Sequence, residues 1–205
     1  MLEFVKNGII LNSELNIILK EVEKYKGRAT PAEISTTLNV KKEYFRGIDS
    51  SVRTGKVYFP EPIESKNVYN ILQSHIMEKY INFPFKFTNI SVIQYSFYGA
   101  EDFFNWHTDF GYHNVDTAGR SFSMSLNISA SDSYTGGAFQ LLYNNRIIEL
   151  DRTPGSYIIF PSFLPHQVSK IISGIRESIV VWVQSSLEEI KFLDNLFRHH
   201  HAVKN

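Results

Sequence analysis

The chain contains no cysteine. Disulfides, thiolate zinc sites and iron–sulfur ligation are thereby excluded, and any metal site must be built from His, Asp and Glu. There is no net charge either, with 21 Lys and Arg against 21 Asp and Glu. The chain therefore lacks the global field that draws proteins to nucleic acid or anionic membranes. No apolar run reaches membrane-spanning length. The opening stretch, MLEFVKNGIILNSEL, has no cationic segment leading into a long apolar one, so it lacks signal-peptide form. The expectation is a soluble, cytoplasmic protein with no membrane partner. Internal repeats and low-complexity segments are absent as well. What is abundant is rings: 16 Phe and 11 Tyr in 205 residues. They suit a β-rich core or a pocket walled by aromatic side chains. The length fits a single domain with a full core.

Two textures divide the chain. Residues 1–85 read as a mainly helical support. Ser13 is placed to cap a helix whose Leu15, Ile18, Leu19 and Val22 form an apolar stripe, with Gly27 as its stop. Thr30-Pro31-Ala32-Glu33 reads as a capped start of a second helix. A third runs from Val68 to Tyr80, with Val68, Ile71, Leu72, Ile76 and Tyr80 apolar. Residues 86–186 read as β core: NISVIQYSF, RSFSMSLNIS, GAFQLLYNN, RIIEL, GSYIIFP, HQVSKII and ESIVVWVQS are short strands separated by turn residues. LLYNNRIIEL is a two-residue hairpin, because Asn tolerates positive φ at both central positions. Residues 187–205 read as a closing helix with Leu187, Ile190, Leu193, Leu196 and Phe197 on one face.

Chemistry enters at His107-Thr108-Asp109. Residues two apart on an extended strand point the same way, so an imidazole and a carboxylate project together. His166, at the end of GSYIIFPSFLPH, completes a two-His, one-carboxylate face. That donor set leaves open positions on an octahedral metal and suits non-haem Fe(II). Ten residues on, Arg176 and Ser178 share one side of a further strand. A guanidinium fork matches a carboxylate, and a hydroxyl beside it adds a donor. A keto acid that chelates the metal and carries a distal carboxylate, such as 2-oxoglutarate, would satisfy both features.

With FFNWHTD, RSFSMSLNIS, SYTGGAFQLL, GSYIIFPSFLPHQVSKI and SGIRESIVVWVQ in this order, the run from Gln94 to Gln184 resembles the catalytic core of prolyl 4-hydroxylase-like Fe(II)/2-oxoglutarate oxygenases. This is the prolyl and lysyl hydroxylase domain type found in bacteria and viruses. RGIDSSVRTGKVYF more loosely resembles the lead-in of bacterial members. The resemblance implies a mainly β fold, a double-stranded β-helix or jelly roll with helices packed on one sheet. It implies iron on His107, Asp109 and His166, 2-oxoglutarate bound to Arg176 with Ser178 nearby, O₂ as oxidant and ascorbate as a candidate reductant. Relatives place a co-substrate-binding Tyr ahead of HxD. Here YSFYGAEDFFNWH offers Tyr95 and Tyr98, of which Tyr95 is the first choice. Asn127 stands where some relatives carry a Tyr and is expected to donate to the co-substrate. Arg176, where several collagen-type relatives have Lys, points to the bacterial and oxygen-sensing branches without settling the substrate.

The implied activity is hydroxylation of an unactivated C–H bond. A prolyl or other residue of a peptide or protein is the leading substrate class. A free amino acid or other small molecule is the rival, and a non-catalytic jelly-roll binding module is the non-enzyme alternative. Neutral charge argues against nucleic acid. HTDFGYHNVDTAGR is a candidate lid, and within it His113 reads as an exposed loop residue. Trp106 and Trp182 read as wall or core. Glu101, Asp102 and Arg120 are candidates for the channel edge, with a surface role as likely for the two acids. His199–His201 point to different faces of the last helix and read as a solvated helix end.

Overall fold

A computed structural model describes residues 4–38, 43–80, 89–111 and 117–202. In chain order its elements are β1 (Lys6–Ile9), α1 (Asn12–Tyr25), β2 (Thr30–Pro31), β3 (Ile34–Leu38), β4 (Glu43–Gly47), β5 (Lys56–Tyr58), α2 (Lys66–Lys79), β6 (Asn89–Tyr98) and β7 (Phe104–His107). There follow β8 (Arg120–Asn127), β9 (Tyr134–Gly136), β10 (Phe139–Tyr143), β11 (Arg146–Glu149), β12 (Ser156–Pro161), β13 (His166–Val168), β14 (Ile171–Gly174), β15 (Arg176–Gln184) and α3 (Leu187–Ala202). The large sheet runs β1-β12-β8-β15-β6-β5-β2, and a smaller one runs β11-β10-β13-β7. Every strand pairing is antiparallel, including the two-stranded β3–β4 and β9–β14 ribbons. This is the mainly β, jelly-roll architecture with helices on one sheet that the sequence implied.

Alternation along the central strands decides what each face holds. On β6, β8 and β15 the residues Ile93, Tyr95, Phe122, Met124, Leu126, Ile179, Val181 and Val183 face a core shared with Leu15, Ile18 and Val22 of α1, Val68, Leu72 and Ile76 of α2, and Leu193 of α3. Their neighbours in sequence turn the other way. Ile158 and Phe160 of β12 pack with Phe139, Leu141 and Val168 of the small sheet in a second core. A cavity of about 950 Å³ lies on this second side of the large sheet.

The amino-terminal third departs from expectation. Among the described residues, 1–85 hold α1 and α2 but also five strands. No helix begins at Thr30: Thr30 and Pro31 pair with Val57 and Lys56 as an edge strand, where a missing proline N–H costs nothing. The following Ile34-Ser-Thr-Thr-Leu38 enters a ribbon with β4, as its β-branched composition favours. Helix α1 starts at Asn12 with Leu11 as N-cap and no side-chain cap, so Ser13 lies inside it. The chain leaves α1 through a 3₁₀ turn, Lys26–Arg28, that contains Gly27. Asn144 and Asn145 take φ of 54° and 56° between β10 and β11, the expected hairpin turn. Leu187 is exposed rather than part of the α3 core face. The side chains of Leu196, Phe197 and His199–His201, and residues 112–116 with His113, lie outside the described residues. Among the described residues, no helix is long and apolar enough to cross a membrane.

Candidate active site

His107 ends β7 and His166 begins β13, and the two are register partners across that antiparallel pair. Pairing therefore sets two residues far apart in sequence side by side, with ring centroids 4.2 Å apart. Asp109 follows two residues after His107, and its N–H donates to the Ser162 carbonyl at 2.9 Å. The ligating atoms of the three residues all lie within 4.8 Å of one another. His166 Nε2 is 3.3 Å from Asp109 Oδ2 and His107 Nε2 is 3.7 Å from Oδ1.

The surroundings fix each donor. His107 Nδ1 faces the Asn105 carbonyl at 2.7 Å and His166 Nδ1 faces the Leu164 carbonyl at 3.0 Å. Each Nδ1 is thus the protonated nitrogen, and each Nε2 lone pair is left for a metal. The Ser123 hydroxyl donates to Asp109 Oδ2 at 2.7 Å. Phe104 stacks on the His107 ring at 3.4 Å between centroids, and Phe160 meets His166 edge-on at 4.8 Å. Burial, reinforced by the neighbouring His166, lowers the His107 pKa to about 3, so the ring is neutral at physiological pH. Burial works against a charged Asp109, but His166 and His107 beside it outweigh that and hold this carboxyl below its usual range. Two imidazoles whose Nδ1 atoms are engaged by carbonyls, beside one carboxylate, form a donor set that fits Fe(II).

Arg176 begins β15 opposite Tyr98 of β6. It lines the same cavity and is only 1% exposed. Its Nη1 donates to Ser178 Oγ at 2.8 Å, while its Nε has no partner. Among the described residues no carboxylate stands within ion-pair distance of it. Burial pushes its pKa down, which records the cost of keeping a guanidinium away from water without an anion. A carboxylate entering from the cavity would relieve that cost, so the site fits the distal end of 2-oxoglutarate. Gly137 lets the chain pass: at φ 63°, a Cβ there would come within 3.2 Å of Arg176 Cδ and 2.3 Å of Ile171 Cδ1.

Two expected co-substrate contacts are corrected. Tyr95 points to the opposite face of β6, into the helix-side core, where its hydroxyl is 2.8 Å from Ser65 Oγ. Tyr98, an odd number of residues along, faces the cavity, and its ring centroid is 5.9 Å from the Arg176 guanidinium carbon. Asn127 is register partner to Ser178, but its amide is spent on the carbonyls of Arg152 (2.7 Å) and Ser129 (3.1 Å). Trp182 lines the cavity under Arg120, whose guanidinium carbon lies 3.8 Å from its ring. Trp106 is neither wall nor core but 43% exposed. Asp102 accepts from the Gly99 N–H at 2.8 Å, and Glu101 is an exposed partner of Lys170. Neither acid lines the cavity. The motifs did not reveal Ser123 or Arg53. Ser123 was detectable as part of the Ser121-Ser123-Ser125-Asn127 alternation, a polar face on an otherwise apolar buried strand.

Residues 93–184 match the sequence profile of the 2OG-Fe(II) oxygenase superfamily. The chain is similar to a PKHD-type hydroxylase of Crocosphaera subtropica, 27% identical over 135 residues that cover 63% of the chain and 58% of that relative. The chain thus spans little more than half of that relative's length. Two solved structures share its fold. A Pseudomonas putida prolyl-4-hydroxylase superposes with a TM-score of 0.70 at 12% identity, covering 89% of this chain and 93% of that one. A Trichoplax adhaerens prolyl hydroxylase, bound to a hypoxia inducible factor peptide fragment, gives 0.66 at 17% identity, covering 92% and 85%.

Proposed function

We propose that the chain is an Fe(II)- and 2-oxoglutarate-dependent dioxygenase that hydroxylates a C–H bond, with a prolyl or other residue of a peptide or protein as substrate. The observation that carries this reading is the convergence of two incomplete sites on one cavity. One is a His-Asp-His donor set with both Nε2 lone pairs free, and the other is a buried arginine lacking an anion. The peptide held by the Trichoplax relative supports the substrate class.

His107, Asp109 and His166 would hold the metal. Arg176, Ser178 and Tyr98 would receive the co-substrate carboxylate. Together, iron, 2-oxoglutarate and O₂ supply the oxidising power, giving succinate and CO₂ as one oxygen atom enters a substrate C–H bond. The chain supplies orientation and dryness. The carbonyls of Asn105 and Leu164 lock the imidazole tautomers, Ser123 fixes the carboxylate, and Phe104, Phe139 and Phe160 exclude water around the ligands.

Anaerobic addition of Fe(II) and 2-oxoglutarate should produce a weak visible charge-transfer band. Succinate release should then follow in air with members of a panel of proline-rich peptides, free amino acids and cell extract. His107→Ala and Asp109→Ala should abolish both signals, and undiminished turnover in both variants would refute the metal assignment. Arg176→Ala should raise the apparent KM for 2-oxoglutarate at least about tenfold, the scale of a lost charged hydrogen bond.

A further inference from the structure

The cavity contains a cation that neither the metal nor the co-substrate uses. Arg53 lies between β4 and β5, bridges to Phe104 of β7 and lines the cavity wall. It is 7% exposed. Its guanidinium carbon is 4.5 Å from the Phe104 ring centroid, Nη2 donates to the Tyr98 hydroxyl over a long 3.4 Å, and Nε has no partner. Among the described residues no carboxylate stands within ion-pair distance of it. The acids of the cavity wall are engaged elsewhere or out of reach. Asp109 belongs to the triad, Glu33 pairs with Arg46 at 3.0 Å and Asp49 accepts from Ser51 Oγ at 2.6 Å. Glu61 lines the cavity outside ion-pair distance of Arg53.

The orphan polar atoms point the same way. Among the described residues they are Arg53 Nε, Arg152 Nε, Arg176 Nε and Trp182 Nε1, and all are donors. Arg53, Arg176 and Trp182 line this cavity. Burying a guanidinium with only a ring face and one long hydrogen bond is costly, and an incoming anion removes that cost. A cavity whose unmet groups are all donors is shaped for acceptors. The co-substrate accounts for Arg176 alone. Arg53 stands apart from it, with Tyr98 in contact with both arginines. It is also one ring away from the metal ligand, because Phe104 stacks on His107 and touches Arg53.

We propose that Arg53 binds a carboxylate of the substrate, so that the substrate carries an acid close to the C–H bond that is oxidised. This rests on the oxygenase reading above and adds an acid to the substrate, whether peptide or free amino acid. The acid belongs to a free amino acid or to an acidic or C-terminal residue of a peptide, and matched pairs separate these sources. The pairs are proline against prolinamide, a proline-containing peptide ending in a free carboxylate against its C-terminal amide, and an amidated peptide with aspartate against asparagine beside proline. Each is tested for succinate release, and for binding to protein loaded with Fe(II) and N-oxalylglycine. In at least one pair the acid should outperform its amide about tenfold or more, because a site built for a charged group rejects the analogue lacking it. Arg53→Gln should bring that ratio to about one, and Arg53→Lys, which keeps the charge, should recover part of it. No acid preference in any pair, or a preference that survives in Arg53→Gln, overturns the proposal. The wild-type charge-transfer band with 2-oxoglutarate, recorded without substrate, separates the two levels. Its presence without acid preference removes only the role of Arg53, and its absence removes the oxygenase reading as well.

Discussion

Tyr95 and Tyr98 show how one residue's face decides its role. Both are buried on β6, yet Tyr95 reaches Ser65 on the helix side while Tyr98 meets Arg53 and Arg176 on the cavity side. Tyr98→Phe should raise the KM for 2-oxoglutarate several-fold with little loss of stability. Tyr95→Phe should leave that KM alone and lower stability by about 1 kcal/mol, the net worth of a buried hydrogen bond. Steady-state kinetics and thermal unfolding of the two variants check this, and the reverse pattern would restore Tyr95 to the co-substrate. The grouping of His107 with Asp109 was legible in the sequence because HxD fixes a shared direction locally. The tyrosine was not, because its direction relative to Arg176 depends on the register Arg176↔Tyr98, which sequence spacing does not encode. Arg53 was hidden for a related reason: its partner ring, Phe104, comes to it only through a bridge between distant segments.

At the scale of elements, strands and hairpins with their own turn chemistry were read well, and those defined by pairing were not. The Asn144-Asn145 turn carries its instruction in two residues. Thr30-Pro31-Ala32-Glu33 also carries a local instruction, for a helix start, but the pairing of Thr30 and Pro31 with β5 overrides it. Tertiary context outweighs a capping preference of roughly 1 kcal/mol. The β14–β15 junction is a sharper case. Gly174 holds φ 79°, and a Cβ there would sit 2.0 Å from the Ser133 carbonyl oxygen. The clash is with backbone, so β9 or β14 must shift, and Arg176 begins the next strand. Gly174→Ala should therefore cost about 1–3 kcal/mol of stability and also raise the KM for 2-oxoglutarate. Unchanged thermal unfolding together with an unchanged KM would show that this junction does not position the arginine.

For the molecule as a whole, one cavity gathers a carboxylate between imidazoles and a buried guanidinium, groups whose charge bound ligands would balance. Asp109 sits beside two imidazoles, and the buried Arg176 has no carboxylate partner among the described residues. Ligands that bind only the folded state must stabilise it, by about 2.7 kcal/mol at a hundred times the dissociation constant. For a domain of this size each kcal/mol raises Tm by roughly 2–4 °C. Anaerobic Fe(II) with 2-oxoglutarate should thus raise the wild-type Tm by roughly 5–10 °C. The two contributions should separate by variant. Asp109→Ala should lose nearly the whole shift, because Asp109 would hold the metal and the co-substrate would depend on the metal for its binding. Arg176→Ala should keep the part due to Fe(II) alone and lose the increment from 2-oxoglutarate. A full shift in Asp109→Ala would place the ligands away from the His107-Asp109-His166 triad, whatever the turnover assays show.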